Sequence, residues 1–112
     1  MHSPAEMSRA TKYRLDSLLK EVTNECRNGQ EEFVYLATMI HEAVDVPFEA
    51  RVARKPIMVV AFETPNEGMV LKAVCQEDDR VFAVDLSGIE WMAPVPEGFD
   101  WIEAYLEWQR RL

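Results

Sequence analysis

Val70-Leu71-Lys72-Ala73-Val74-Cys75, Gln76-Glu77-Asp78-Asp79-Arg80 and Val81-Phe82-Ala83-Val84-Asp85-Leu86 follow one another without a gap. The first and last are apolar-rich runs of strand length; the middle one is wholly polar. Two such runs about a charged turn predict a β-hairpin, and its tip displays three adjacent carboxylates, Glu77, Asp78 and Asp79. Beyond it, Ser87-Gly88-Ile89-Glu90-Trp91 has the composition of a short helical turn followed by a fifth short strand. Upstream, Pro65-Asn66-Glu67-Gly68 reads as a turn. Ile57-Met58-Val59-Val60-Ala61-Phe62 is apolar on both faces, as suits a central strand or one covered on its outside by a helix. Phe48, Ala50 and Val52 alternate with Glu49 and Arg51, the period-two pattern of a strand with one buried face. The links are too short for helical crossovers, so neighbouring strands are expected to be antiparallel.

The period is different on either side of this strand region. Met7, Ala10, Leu15, Leu18, Leu19, Val22 and Cys26 recur at helical spacing, with Ser3 as N-cap, Pro4 at the first helical position and Glu6 completing the capping pattern. Asn28-Gly29 is read as the end of that helix. Phe33, Leu36, Ala37, Ile40 and Val44 repeat the pattern until Pro47, which forces the chain out of helical geometry. So short a link predicts an antiparallel helical hairpin. After the stiff Pro94-Val95-Pro96-Glu97-Gly98 connector, Asp100 is expected to cap a last helix with a broad apolar stripe of Trp101, Ile102, Tyr105, Leu106, Trp108 and Leu112. The expectation is one domain over residues 1–112, with helices near 3–27, 31–44 and 100–111 and strands near 48–54, 57–62, 69–76 and 81–86.

Composition narrows the function classes. Of the 112 residues 48% are hydrophobic and eleven are aromatic, enough apolar surface to offset the ordering of the backbone. The formal charge is -8, and it is lopsided: residues 1–56 carry eight basic and nine acidic groups, residues 57–112 four and eleven. A phosphate backbone would be repelled by such a chain, so nucleic acid is not expected as a partner. Two cysteines, Cys26 and Cys75, make no disulfide framework. The first residues lack a secretory pattern, and no run approaches the ~20 apolar residues that cross a bilayer, so the expectation is a cytoplasmic protein without a membrane partner.

Three stretches carry a family resemblance: Val46-Pro47-Phe48-Glu49-Ala50-Arg51 after the acidic helices, the segment Val81 to Glu90, and the aromatic helix with Trp101 and Trp108. Taken in order they resemble the cyanobacterial calcium-binding protein (CcbP) family. The resemblance implies a small SH3-like barrel, opened by the Pro47-Phe48-Glu49-Ala50 element and closed by Phe82-Ala83-Val84-Asp85-Leu86, with Asp85 where Pro would be expected. The expected fold is thus α+β: a helical hairpin, an antiparallel SH3-like barrel of four or five strands, and a C-terminal helix.

Calcium takes six to eight oxygen ligands at roughly 2.3 to 2.6 Å, so carboxylates must converge on it. Three groups qualify: Glu77, Asp78 and Asp79 at the hairpin tip; Glu42, Asp45 and Glu49 between the second helix and first strand; Glu63 and Glu67 beside the preceding turn. Acids in such places ordinarily face water, and no EF-hand spacing occurs. Binding of this divalent cation is therefore expected to be weak and sensitive to salt. His41, Cys26 and Cys75 lack transition-metal spacing, and no nucleophile, phosphate loop or acid–base motif points to an enzyme. The alternative is a protein-interaction module, with a homodimer or a protein partner docked on the aromatic C-terminal helix.

Overall fold

The computed structural model describes residues 4–64 and 68–112, with side chains of the first helix from Tyr13 onward. Helix α1 spans Pro4–Glu25 and α2 Gly29–Ala43. Pro4 opens α1 as the sequence predicts; its expected cap, Ser3, lies outside the described residues. Asn28 does not end α1. It caps α2, accepting the Glu31 N–H at 3.0 Å, while Glu31 accepts the Arg27 N–H at 3.1 Å. The reciprocal bonds satisfy backbone donors that a helix start leaves free.

Five strands follow: β1 Phe48–Val52, β2 Lys55–Glu63, β3 Lys72–Glu77, β4 Arg80–Asp85 and β5 Glu90–Trp91, with a 3-10 turn over Leu86–Gly88 before β5. All pair antiparallel in the order β4-β3-β2-β1-β5. The predicted hairpin is β3–β4, and β2 is the central strand that its two-sided apolar pattern suggested. The first strand stops at Val52 rather than residue 54, because Ala53 and Arg54 turn the chain through the left-handed region, φ 50° and 66°. Asp85, at the position where Pro was expected, accepts the backbone N–H and the hydroxyl of Ser87, each at 2.9 Å, and so starts the 3-10 turn.

The expected barrel is not formed. The sheet is open, its edges being β4 and β5, which do not pair with each other. With only two residues β5 is too short to close the circuit. Helices cover one face of it instead, the inner one.

Alternation along the strands puts Ala50, Ile57, Val59, Ala73 and Cys75 on that inner face, all buried. A bulge at Val60 shifts the β2–β3 register, from Val59 opposite Cys75 to Ala61 opposite Val74. The extra residue reverses parity, so Phe62, opposite Ala73, also faces inward. Helix α3, Phe99–Arg110, packs along both α1 and α2, which meet each other less extensively than each meets α3. Asp100 is not its cap. Gly98 takes that place in the left-handed region at φ 81°, and Asp100, in the first turn, pairs with Arg14 at 2.5 Å.

The aromatic stripe of α3 is turned inward. Tyr105 is fully buried, Trp108 nearly so, and Trp101 half-buried against Tyr35. Phe33, Tyr105 and Trp108 form a cluster with centroids 6.1 to 6.3 Å apart. Their polar ends are satisfied: the Tyr105 hydroxyl accepts the Leu71 N–H at 2.8 Å, and the Trp108 indole donates to Glu32 at 2.9 Å. Burial of each such ring stabilises the fold by about 1.5 to 3 kcal/mol. Of the predicted stripe Ile102, Tyr105 and Trp108 are buried, Trp101 and Leu106 are half-buried, and Leu112 is exposed.

Candidate functional site

Across the tip of the β3–β4 hairpin Glu77 and Arg80 are directly opposed, leaving Asp78 and Asp79 as a two-residue loop. Asp78 has φ 52°, a left-handed conformation that a short polar side chain tolerates better than most. The loop exposes both aspartates and leaves Glu77 half-buried at the base of the turn. Beside it lies a shallow groove of about 490 Å³, bordered by Glu49, Lys55, Pro56, Ile57, Met58, Gln76, Glu77 and Asp78.

Strand register accounts for this lining. Glu49 is opposite Met58, and Met58 is opposite Gln76, so the three residues form one row on the outer face of the sheet. The β1–β2 turn, with Lys55 just after it, is at the same end of the sheet as the β3–β4 turn. Two hairpins separated in the chain thus contribute oxygen donors to one groove.

Of the eight candidate acids, Glu49, Glu77 and Asp78 border the groove. Asp79 is exposed at the tip, beyond the groove lining. Glu42 and Asp45 are exposed at the C-terminal end of α2 and do not border the groove; the Asp45 N–H donates to the Glu97 carbonyl at 3.4 Å. Glu63 is exposed at the end of β2, and Glu67 lies outside the described residues. The acids surround the groove without closing on a point: among the described residues no three His, Cys, Asp or Glu side chains come together closely enough to hold a metal ion. Positive charge is close at hand. Lys55 borders the groove, and Arg80 Nη1 is 3.8 Å from the Glu77 carboxylate, with the guanidinium 5.2 Å from the centre of the Phe82 ring. Gln76 belongs to the polar turn itself, whereas Lys55 is a lining residue to which the sequence does not point, brought beside that turn by the pairing of β2 with β1 and β3.

His41, Cys26 and Cys75 do not meet. His41 Nδ1 lies 2.8 Å from the Ala37 carbonyl and Nε2 3.1 Å from the Phe62 carbonyl, so the imidazole links α2 to β2 and neither ring nitrogen is free for a metal. Cys75 is completely buried, and burial holds its thiol above the usual pKa. The Cys26 thiol is raised as well, by burial and then by Glu31, Glu32 and Glu25. Neither is an activated nucleophile. A second concavity, about 450 Å³ beside Cys26, Gln30, Glu31, Val34, Tyr35, Thr38 and Met39, has one carboxylate and a mostly apolar wall. Among the described residues no helix is long and apolar enough to cross a membrane.

No family model matches the chain, and no curated protein matches it in sequence. Solved structures do match. The crystal structure of Anabaena CcbP superposes on 90% of this chain and 89% of its own with a TM-score of 0.67 at 16% identity. The chain has the fold of CcbP. A second structure, a calcium-binding protein in its calcium-binding form, covers 98% of this chain and 97% of its own, with a TM-score of 0.66 at 17% identity. At 16% and 17% identity these matches concern the course of the backbone.

Proposed function

We propose that the protein binds calcium weakly, as a low-affinity buffer, through the carboxylates at the β1–β2 and β3–β4 end of its sheet. One observation carries this reading: Glu49, Glu77 and Asp78, from two separate hairpins, border one groove together with the Gln76 amide. The donors fit the ion in kind. Calcium is a hard cation that prefers carboxylate and amide oxygens to nitrogen or sulfur, and Glu49 and Gln76 share the outer face of the sheet, with Asp78 at the turn beside them. The fold shared with a calcium-binding protein in its calcium-binding form adds support. Asp79 adds charge at the tip, and Glu42 and Asp45 form a second anionic location where the carbonyl end of α2 also favours cations.

Weakness follows from the same geometry. The carboxylates surround an open groove, and water competes for every ligand position. A dissociation constant on the order of 10⁻³ M suits an exposed site of this kind. Following backbone amide resonances during a calcium titration tests the proposal. Shifts are expected at Glu49 and Gln76 to Asp79, with smaller ones at Glu42 and Asp45, and Glu77→Gln with Asp78→Asn should weaken the response severalfold. Shifts of equal size from the same concentration of magnesium, or none up to about 10 mM calcium, an order of magnitude above that constant, would overturn it.

A further inference from the structure

We infer that the outer flank of α2 is a docking groove for a basic amphipathic helix of a partner protein. This helix is apolar on more than one side. Phe33, Leu36, Ala37 and Ile40 are buried in the core, yet Val34 is 52% exposed, and Tyr35 and Met39 are half-buried. A surface helix ordinarily keeps its apolar residues to one stripe that faces the core. The additional ones line the concavity of about 450 Å³ beside Cys26.

The shape fits a helix. Gln30, Val34 and Thr38 form one row of residues four apart, and Glu31, Tyr35 and Met39 form the next, so the concavity follows two adjacent ridges of α2. In helix packing the furrow between two such ridges receives a ridge of the second helix. The polar atoms in the middle are already spent: the Thr38 hydroxyl donates to the Val34 carbonyl at 2.8 Å, and the Tyr35 hydroxyl to Glu21 at 3.2 Å. An apolar row is therefore what this part of the groove accepts.

Charge decides the flanks of the occupant. Glu31 lies in the groove and Glu21 holds the Tyr35 hydroxyl. The Cys26 thiol is held up by burial and then by Glu31, Glu32 and Glu25, and the Tyr35 hydroxyl by burial and then by Glu21 and Glu25, so these acids are all within electrostatic reach of the groove. From residue 20 to 35 four acids stand against two bases, Lys20 and Arg27. An apolar floor with an acidic margin is complementary to a helix whose leucine or methionine row is bordered by lysine and arginine. The groove shares no lining residue with the one at the β3–β4 hairpin.

The probe is a fluorescent peptide of about 15 residues, matching α2 in length, built of leucine and lysine with the leucines at helical spacing. Its anisotropy should rise when the protein is added, and the amide resonances of Val34, Tyr35 and Thr38 should move. A peptide of the same composition with scattered leucines, and one with glutamate in place of every lysine, should each bind at least about tenfold more weakly. Val34→Gln, at a position exposed enough to leave the fold intact, should weaken binding about fivefold. Glu25→Gln with Glu31→Gln should weaken it severalfold at low salt, since glutamine at position 31 can still accept the Arg27 N–H. Glu77→Gln with Asp78→Asn removes as much charge at the hairpin and should change it less than about twofold. Equal binding of the patterned and scattered peptides, no effect of Val34→Gln, or no anisotropy change up to about 1 mM protein would overturn the inference. So would a homodimer that Val34→Gln dissociates, since a second copy would then be what fills the groove.

Discussion

Gly98 shows how one residue can decide where a helix begins. Its φ of 81° is open to glycine and costly for other residues, and a Cβ there would lie 2.2 Å from the Ala43 carbonyl oxygen. The end of α2 and the start of α3 can touch only because that atom is missing. Gly98→Ala should therefore destabilise the fold by about 2 kcal/mol or more, read from the midpoint of urea unfolding. Glu103, on α3, illustrates the opposite kind of residue. Burial, with a further contribution from Asp100, holds its carboxyl above the ordinary range, against the pull of Arg14. A raised carboxyl binds its proton more firmly in the folded state. Its effect on stability is thus neutral to favourable in acid and turns into a cost as pH rises through the folded-state pKa. Glu103→Gln is expected to raise the melting temperature at neutral pH, with the gain vanishing as pH falls below the unfolded-state value. A gain that persisted in acid would contradict this assignment. Sequence position gave no hint of either role, since both depend on what a second helix places opposite.

Among the elements, β2 carries the most information. Its apolar stretch from Ile57 to Phe62 was legible as a central strand because neither face showed polar alternation, and the structure places it third of five. The bulge was not legible. Nothing in a run of β-branched and apolar residues marks which one will be left unpaired; the choice of Val60 is made by what Phe62 finds on the inner face. There it lies 6.3 Å from both the Phe48 and His41 rings, and its carbonyl meets His41 Nε2. Deleting Val60 should remove only the unpaired residue and leave Phe62 opposite Ala73 on the inner face. Phe62→Ala takes away the inward ring itself, and the expected loss, about 2 kcal/mol and under that of a fully buried Phe, would appear as a lower urea midpoint. The asparagine at position 28 reads as a terminator in the sequence, yet in the structure it is a starter. Asn-Gly suits both tasks, and the Glu31 amide that Asn28 satisfies decides between them.

At the scale of the molecule, the formal charge of -8 and its concentration after residue 56 set the behaviour toward ions. Calcium responses at exposed carboxylates should weaken steadily as sodium chloride is raised from about 0.02 to 0.5 M, because screening shortens from roughly 20 Å to a few ångströms over that range. A calcium midpoint independent of salt would point to a buried, preformed site, which the open groove does not provide. The order of helices and strands, the hairpin that ends in Glu77, Asp78 and Asp79, and the sign of the charge can be read along the chain, because periodicity, turn chemistry and composition act over a few neighbouring residues. Long-range packing decides that the sheet stays open, since closure depends on whether β5 and β4 can reach one another. It likewise decided that Glu49 joins Glu77 and Asp78 at one groove while Glu42 and Asp45 stay apart, because lateral pairing of β1, β2 and β3 brings together residues that are 28 positions apart in the chain, Glu49 and Glu77.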